Sequence, residues 1–93
     1  MEKKNKAVVT VVGNDTIGII ARVSAALAQH EANILDISQT VLSGMFNMMM
    51  IVDTSNATKR FEAMADELTE LGNQIGVKIK MQHEDIFNTM HRI

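Results

Sequence analysis

The sequence contains no Cys, Trp, Tyr or Pro, and its only aromatic residues are three Phe. Without Cys the chain cannot form a disulfide, a thiolate nucleophile, a zinc–thiolate site or an iron–sulfur cluster. The scarcity of aromatic rings disfavours a base-stacking surface for single-stranded nucleic acid. Nine basic and eleven acidic residues give a formal net charge of −2, so no strong positive field would attract DNA or RNA. Thiol chemistry is excluded, and nucleic-acid binding is disfavoured.

Long apolar runs are missing as well. Residues 1–6 are mostly charged or polar and lack the apolar centre of a signal peptide, and no segment approaches the roughly 20 apolar residues of a membrane-spanning helix. We therefore expect a soluble cytoplasmic protein. The 93 residues, 46% hydrophobic and 22% charged, have the size and composition of one small globular domain. We expect this domain to occupy residues 1–93.

The spacing of the hydrophobic residues changes along the chain and predicts four strands and two helices. Strands are predicted at residues 7–12, 34–42, 45–52 and 77–82, and helices at residues 17–31 and 61–75. In the second strand, Leu35, Ile37 and Val41 alternate with polar residues, so this apolar side is expected to face the core.

Three features near the C-terminus complete the prediction of elements. Gly72 interrupts the second helix at a cost of about 1 kcal/mol relative to Ala. Gly76 fits the left-handed position that commonly ends a helix. A short final helix is predicted at residues 84–93, where the apolar residues share one helical face and the basic residues lie near the end.

The element order β-α-β-β-α-β predicts an α+β fold of the ferredoxin-like type, with a four-stranded antiparallel sheet and both helices on one face. The second and fourth strands are expected at the edges. The other face of the sheet has no helix, and Val8, Val12, Met49 and Ile51 are expected to leave an apolar surface there. Such surfaces usually mark an interface, so self-association is predicted. The alternative is that the C-terminal helix covers part of this surface.

The loop that joins the first strand to the first helix is the main candidate site. Asn14, Asp15 or Thr16 can cap the helix, but Gly18 in the first turn would weaken the helix without helping the cap. A glycine at this place lets a ligand or another backbone approach closely. Amide N–H groups at a helix start suit a carboxylate, and Asp15 or Asp36 could bind an ammonium group. The loop would therefore suit a small zwitterion.

Three segments of the chain resemble the ACT domain family. Residues 9–23 resemble its strand, Asp-x-x-Gly turn and helix; residues 31–37 match its Asn-Ile pair entering the second strand; residues 46–52 resemble its third strand. The resemblance covers a core of about residues 6–83 and leaves 84–93 as a C-terminal extension. The chain is similar to stand-alone ACT proteins and to glycine-cleavage-repressor-like regulators. Those relatives often have Arg-Pro at the position of Thr16-Ile17, and Gly at the position of Glu31.

The resemblance implies a regulatory module that binds an amino acid or another small metabolite where two domains meet. It further implies a homo-oligomer, most simply a dimer, which acts on a partner enzyme or regulator and needs no cofactor. One copy would supply the loop and the other its second strand. Carried over by position, the ligand-binding residues are Asn14, Asp15, Ile17, Gly18, Ile19, Asn33, Ile34, Leu35, Asp36 and Ile37. For Asn33 a structural role is favoured, because Asn tolerates the left-handed conformation at a helix exit.

Other candidate sites are weaker. Met45 and Met48–Met50 could suggest Cu(I), but consecutive strand residues alternate between faces and cannot converge on one ion. The three His have no metal-ligand spacing. No Ser or Thr lies in a nucleophile elbow. A ferredoxin-like acylphosphatase would need an Arg in the loop, and Arg22 lies more than a turn into the helix.

We therefore predict a regulatory module that binds a small molecule and is not an enzyme, with no catalytic residues and no metal. The first alternative is a ligand-free interaction or dimerisation module. The second is a small acylphosphatase-like hydrolase.

Overall fold

The computed structural model describes residues 6–14, 18–58 and 60–84. Its elements are β1 (Lys6–Asn14), α1 (Ile19–Gln29), β2 (Asn33–Leu42), β3 (Met45–Asp53), α2 (Phe61–Ile75) and β4 (Val77–His83). The order is the predicted β-α-β-β-α-β. The prediction of a final helix at 84–93 lies outside the described residues, except for Glu84.

The strands form one antiparallel sheet in the order β2-β3-β1-β4. The predicted fold class is therefore confirmed, and β2 and β4 are the edge strands as expected. A two-residue turn of Ser43 and Gly44 joins β2 to β3, and both residues have positive φ (53° and 77°). Such angles are typical of tight hairpin turns.

The core lies between one face of the sheet and the two helices. Along β3, buried residues alternate with exposed or half-buried ones, as expected for a strand with one face on a core. β4 alternates in the same way, with Val77, Ile79 and Met81 buried. The buried apolar side chains of this core include Val9, Val11, Val23, Leu27, Met48, Met50, Val52, Met64, Leu68, Ile79 and Met81.

Gly72 explains how closely α2 packs on β4. A Cβ atom at Gly72 would lie only 2.6 Å from the carbonyl oxygen of Val77 and 3.1 Å from Cγ1 of Ile79. The glycine therefore allows a contact that Ala would prevent. Gly76 ends α2 in the left-handed conformation, with φ 81°, and this prediction is confirmed.

The apolar side of β2 faces the helix side of the sheet as expected, since Ile37 and Val41 pair with the buried Met50 and Phe46, but both side chains stay exposed. A β-bulge between Ile34 and Asp36 inserts Leu35 as an extra residue, which breaks the alternation that links Leu35 to Ile37. Residues 35–41 are all exposed in this edge strand.

The two ends of α1 also differ from expectation. Gly18 is the N-cap residue of α1, with φ 86°, and no side chain among the described residues caps the helix. Asn14 still belongs to β1, and Asp15, Thr16 and Ile17 lie outside the described residues. At the helix exit the left-handed residue is Glu31, with φ 58°. The structural role given to Asn33 is therefore wrong, because Asn33 is the first residue of β2.

The face of the sheet away from the helices is partly apolar. Val12 and Met49 are exposed there, while Ile51 is half-buried and Val8 is 1% exposed. The surface is therefore open mainly at the Val12 end. The suggestion that residues 84–93 cover part of it lies outside the described residues. Within the described ranges, no helix is long and apolar enough to cross a membrane.

Candidate functional site

The described loop residues of the candidate site lie at one end of the sheet. Asn14 ends β1 and pairs with Met45 at the start of β3. Gly18 is exposed at the N-cap of α1, whereas the Ile19 side chain is 3% exposed and belongs to the core. Ile19 can therefore offer a ligand its backbone but little of its side chain. Asp15 and Ile17 lie outside the described residues.

The β2 residues of the candidate site lie at the other end of the sheet. Asn33 pairs with Asp53, which in turn pairs with Lys6 at the start of β1. Ile34 is half-buried against the core, and residues 35–37 are exposed. The backbone N–H of Ile37 donates a hydrogen bond to Oδ1 of Asp36 at 2.9 Å.

The two halves of the candidate site therefore do not meet within one copy. Asn14 and Lys6 are at opposite ends of β1, and a strand rises about 3.4 Å per residue, so the two ends are about 27 Å apart. Asn33 lies at the Lys6 end. A site that uses both the loop and the start of β2 would need these parts from different copies.

The two edge strands differ in how they are protected. β4 has seven residues, of which Lys78 and Lys80 are exposed lysines. Lysine on an edge strand discourages pairing with another strand. β2 has ten residues, a single charged residue and no Lys or Pro. It also exposes apolar side chains, with Leu35, Ile37 and Val41 at 44%, 40% and 56%. Within the part of the chain that the structure describes, β2 is therefore an unprotected edge.

A groove of about 390 Å³ lies between α1 and α2. Its lining includes the small residues Ala25 and Ala26 of α1 and Leu71 of α2. At one end Nε2 of His30 contacts Oε2 of Glu67 at 2.7 Å and joins the helices. The groove was not among the sites predicted from the sequence; the neighbouring alanines of α1 are the signal that could have indicated it.

Arg22 lies in this groove. Its side chain lines the groove together with residues of α2, whereas an acylphosphatase would need an Arg in the loop after β1. The hydrolase alternative therefore gains no support from the described residues.

The residues of the Met cluster lie on both faces of the sheet. Met48 and Met50 face the core, whereas Met45 and Met49 are exposed on the other face, so the Met cluster does not converge. The ring of His83 stacks on Phe61 with 3.7 Å between ring centroids. Among the residues that the structure describes, no group of three His, Asp or Glu could hold a metal ion.

Comparisons with known proteins agree with this geometry. Residues 5–82 match the family model described as ACT domain. A UPF0237 protein of Bifidobacterium longum is 62% identical over 89 residues, covering 96% of this chain and 99% of that protein. Among solved structures, an ACT domain protein from Streptococcus pneumoniae is 42% identical, with a TM-score of 0.79, covering 91% of this chain and 96% of that one.

A more distant structure shares the fold alone. The regulatory subunit of aspartate kinase from Thermus thermophilus is 22% identical, with a TM-score of 0.65, and the match covers 86% of this chain and 52% of that one.

Proposed function

Because the chain belongs to the ACT domain family, we propose that it is a regulatory module that binds a small molecule between two copies of itself. An amino acid is the expected class of ligand. The module has no catalytic task of its own in this proposal, and it acts on a partner enzyme or regulator in the cytoplasm.

The observation that carries this proposal is the separation of the two candidate segments within one copy. If two β2 strands pair antiparallel, the start of β2 from the second copy comes to lie beside Leu42, at the end of the sheet where Asn14 and the loop are. The second copy thus supplies the start of β2, which in the first copy lies at the opposite end of the sheet from Asn14. The unprotected edge of β2 favours this pairing over pairing through β4.

The chemistry of the two segments suits a zwitterion. Backbone N–H groups at the start of α1, next to Gly18, attract a carboxylate through the helix dipole. The exposed carboxylate of Asp36 from the second copy can bind an ammonium group. The exposed apolar side chains of Leu35 and Ile37 offer a surface for the ligand's own side chain.

The ligand would regulate the assembly state because ligand binding and dimerisation are linked equilibria. A ligand that contacts both copies binds the dimer better than the single chain, so it shifts the population toward the dimer by its difference in affinity. The partner protein would respond to the dimer.

A thermal-shift screen against the twenty amino acids tests the proposal. At a ligand concentration of about 100 times the dissociation constant, binding to the native state adds about 2.7 kcal/mol to the free energy of unfolding. For a domain of this size that is a rise in Tm of about 10 °C or more.

The Asp36→Asn variant tests the role of the carboxylate, because it keeps the shape of the side chain and removes its charge. It is expected to lose most of the shift caused by the active amino acid. If no amino acid raises the Tm while the protein remains dimeric, the ligand-free interaction module is the better reading. Turnover of acetyl phosphate by the purified chain would favour the hydrolase instead.

A further inference from the structure

Val8 is buried, but it does not belong to the core between the sheet and the helices. Its side chain is 1% exposed, whereas the core cluster contains its neighbours Ala7 and Val9 and not Val8 itself. Side chains alternate between the two faces of a strand, so Ala7 and Val9 point toward the helices and Val8 points to the open face. Both helices that the structure describes lie on the other face, so they do not explain the burial of Val8.

Val12 shows how exposed such a position is without a cover. Val8 and Val12 are the same residue type on the same face of β1, and each pairs with one residue of β3 and one of β4. Val12 is nevertheless 38% exposed. The flanking strands are the same for both residues, so the burial of Val8 requires a part of the protein that lies over it.

The exposure of β3 shows how far this cover extends. Ile51, which pairs with Val8, is half-buried. Met49, the next residue of β3 on the open face, is 39% exposed. The cover therefore lies over Val8 and Ile51 and stops before Met49.

Four segments lie outside the described residues, and three of them do not fit as the cover. Residues 15–17 follow the far end of β1, and Lys59 is a single residue next to the start of α2. Residues 1–5 precede β1 at the correct end, but only one of the five is apolar. A polar and charged segment has little reason to bury valine. This leaves residues 85–93.

Residues 85–93 follow the sheet at the correct place. β4 ends at His83, which pairs with Ala7, so the chain leaves the sheet one residue away from Val8. Glu84, the residue after β4, is helical. Four residues of the segment are large and apolar, and their spacing places them on one side of a helix; they are Ile86, Phe87, Met90 and Ile93.

From these observations we infer that residues 85–93 lie across the open face of the sheet over Val8 and Ile51, and that this cover limits association of the chain through that face. The inference goes beyond the proposed function and does not depend on it.

The length of the segment fits a path across the strands. Gln82, Val8, Ile51 and Asp36 pair in one row from β4 to β2, which spans three strand spacings, or about 14 Å. A helix of residues 84–93 would be about 15 Å long. A segment on this row covers Val8 and Ile51 and leaves the other end of the face open, whereas a segment along β1 would also cover the exposed Val12.

The charges agree with this direction. Asp85 begins the segment beside β4, where Lys80 lies on the open face because the residues next to it in the strand are buried. Arg92 lies near the other end of the segment, and the row ends at the exposed carboxylate of Asp36. Opposite charges thus face each other at both ends of the path.

The cover decides how much of the open face is available to other proteins. Without it, Val8 and Ile51 would join the exposed Val12 and Met49 in one apolar surface. Exposed surfaces of this kind promote association. With the segment in place, only the Val12 end is left for such contacts.

Single cysteines test the cover, and the chain suits this test because it has no native Cys. Val8→Cys and Val12→Cys are labelled with Ellman's reagent in the full chain and in a chain that stops after Glu84. In the full chain the thiol of Val8→Cys is expected to react at least about 100-fold more slowly than that of Val12→Cys, because a buried thiol reacts only after local opening. Removing residues 85–93 is expected to abolish most of this difference.

Two controls accompany this comparison. Val9→Cys, in the core at 0% exposure, is expected to react slowly in every folded chain. A chain that lacks residues 2–5 is expected to keep the slow reaction of Val8→Cys. The inference is overturned if Val8→Cys stays slow without residues 85–93, or becomes fast only without residues 2–5. Either result leaves the proposed function intact, because the thermal shift caused by an amino acid is measured on the full chain.

Point variants of the full chain test the cover if the shortened chain does not fold, which rapid reaction of Val9→Cys would reveal. Phe87→Asp places a charge on the apolar side of the segment, whereas Asn88→Asp places the same charge on its opposite side. Because a buried unpaired charge is unfavourable, Phe87→Asp is expected to speed the labelling of Val8→Cys at least about tenfold, and Asn88→Asp to leave it unchanged. Equal rates in the two variants would contradict the cover.

Sedimentation velocity over a concentration series tests the limit on association. The chain without residues 85–93, or Phe87→Asp if that chain does not fold, is expected to form larger species than the full chain does. Val12→Lys in the same background is expected to remove these species, because it places a charge on the uncovered face. If the distribution of species is the same with and without the cover, the segment does not limit association.

Discussion

Replacing Gly72 by Ala is expected to destabilise the protein, although the general preference of helices predicts the opposite. Ala is favoured over Gly by about 1 kcal/mol in the interior of a helix. At this position, however, the added methyl group would lie 2.6 Å from the carbonyl oxygen of Val77 and 3.2 Å from the backbone nitrogen of Ile79. Both are backbone atoms of β4, so α2 as a whole would have to move outward.

The size of the effect is the difference of two contributions. Forcing an extra methyl group into a packed contact costs about 1–3 kcal/mol, and the helix preference offsets about 1 kcal/mol of this. Because the clash is with backbone atoms that no side-chain rotation can move away, its cost is taken in the upper part of that range, about 2–3 kcal/mol, so the expected loss in the free energy of unfolding is about 1–2 kcal/mol. For a domain of this size each kcal/mol lowers Tm by about 4–8 °C.

Urea denaturation and thermal unfolding measure this loss, with all variants at one protein concentration because dimerisation would also affect stability. Asn73→Ala is the matched control. Asn73 is the next residue of the same helix and is exposed, so Ala should add a few tenths of a kcal/mol there through helix preference alone. The reasoning is refuted if Gly72→Ala is as stable as the parent or more stable.

Two further substitutions probe the left-handed residues of the chain. Glu31→Gly is expected to raise the free energy of unfolding by about 1 kcal/mol in urea denaturation, because Glu31 has φ 58° and a side chain is unfavourable in that conformation; an unchanged midpoint would contradict this. Gly18→Val places a β-branched residue at φ 86° and should cost about 1–2 kcal/mol. It is expected to abolish the thermal shift caused by the active amino acid while the circular dichroism spectrum stays that of a folded protein, and unchanged binding would exclude Gly18 from the site.

The fold could be predicted from the sequence because the periods are clear. Val77, Ile79 and Met81 alternate with polar residues and are buried, and the stripe from Phe61 to Ile75 keeps helical spacing and contains the buried Met64 and Leu68, so the pattern predicts both elements. The bulge in β2 could not be predicted, because Leu35 fits the apolar alternation as well as Ile37 does. The left-handed residue at the exit of α1 was placed on Asn33 from a preference of its side chain, whereas the chain uses Glu31.

Less of the candidate site than of the fold could be predicted from the sequence. The residues of the loop and of β2 could be named, but their separation depends on the register of three strands, which determines that Asn33 lies beside Asp53 and Asn14 beside Met45. The groove between the helices depends on the small size of Ala25 and Ala26 at a helix contact, and the sequence alone does not show which helix faces meet.

The difference between the two edges of the sheet also sets a limit on assembly. If both edges were open, each added chain would present a fresh edge, and the sheet could grow without end into a fibre. With lysines on β4, pairing through β2 leaves a pair whose two outer edges are both guarded. A contact related by a two-fold axis uses the same surface on both chains and closes on itself. In the proposed dimer the sheet would therefore stop growing at eight strands, and an exposed apolar edge that would otherwise favour aggregation would yield an assembly of fixed size.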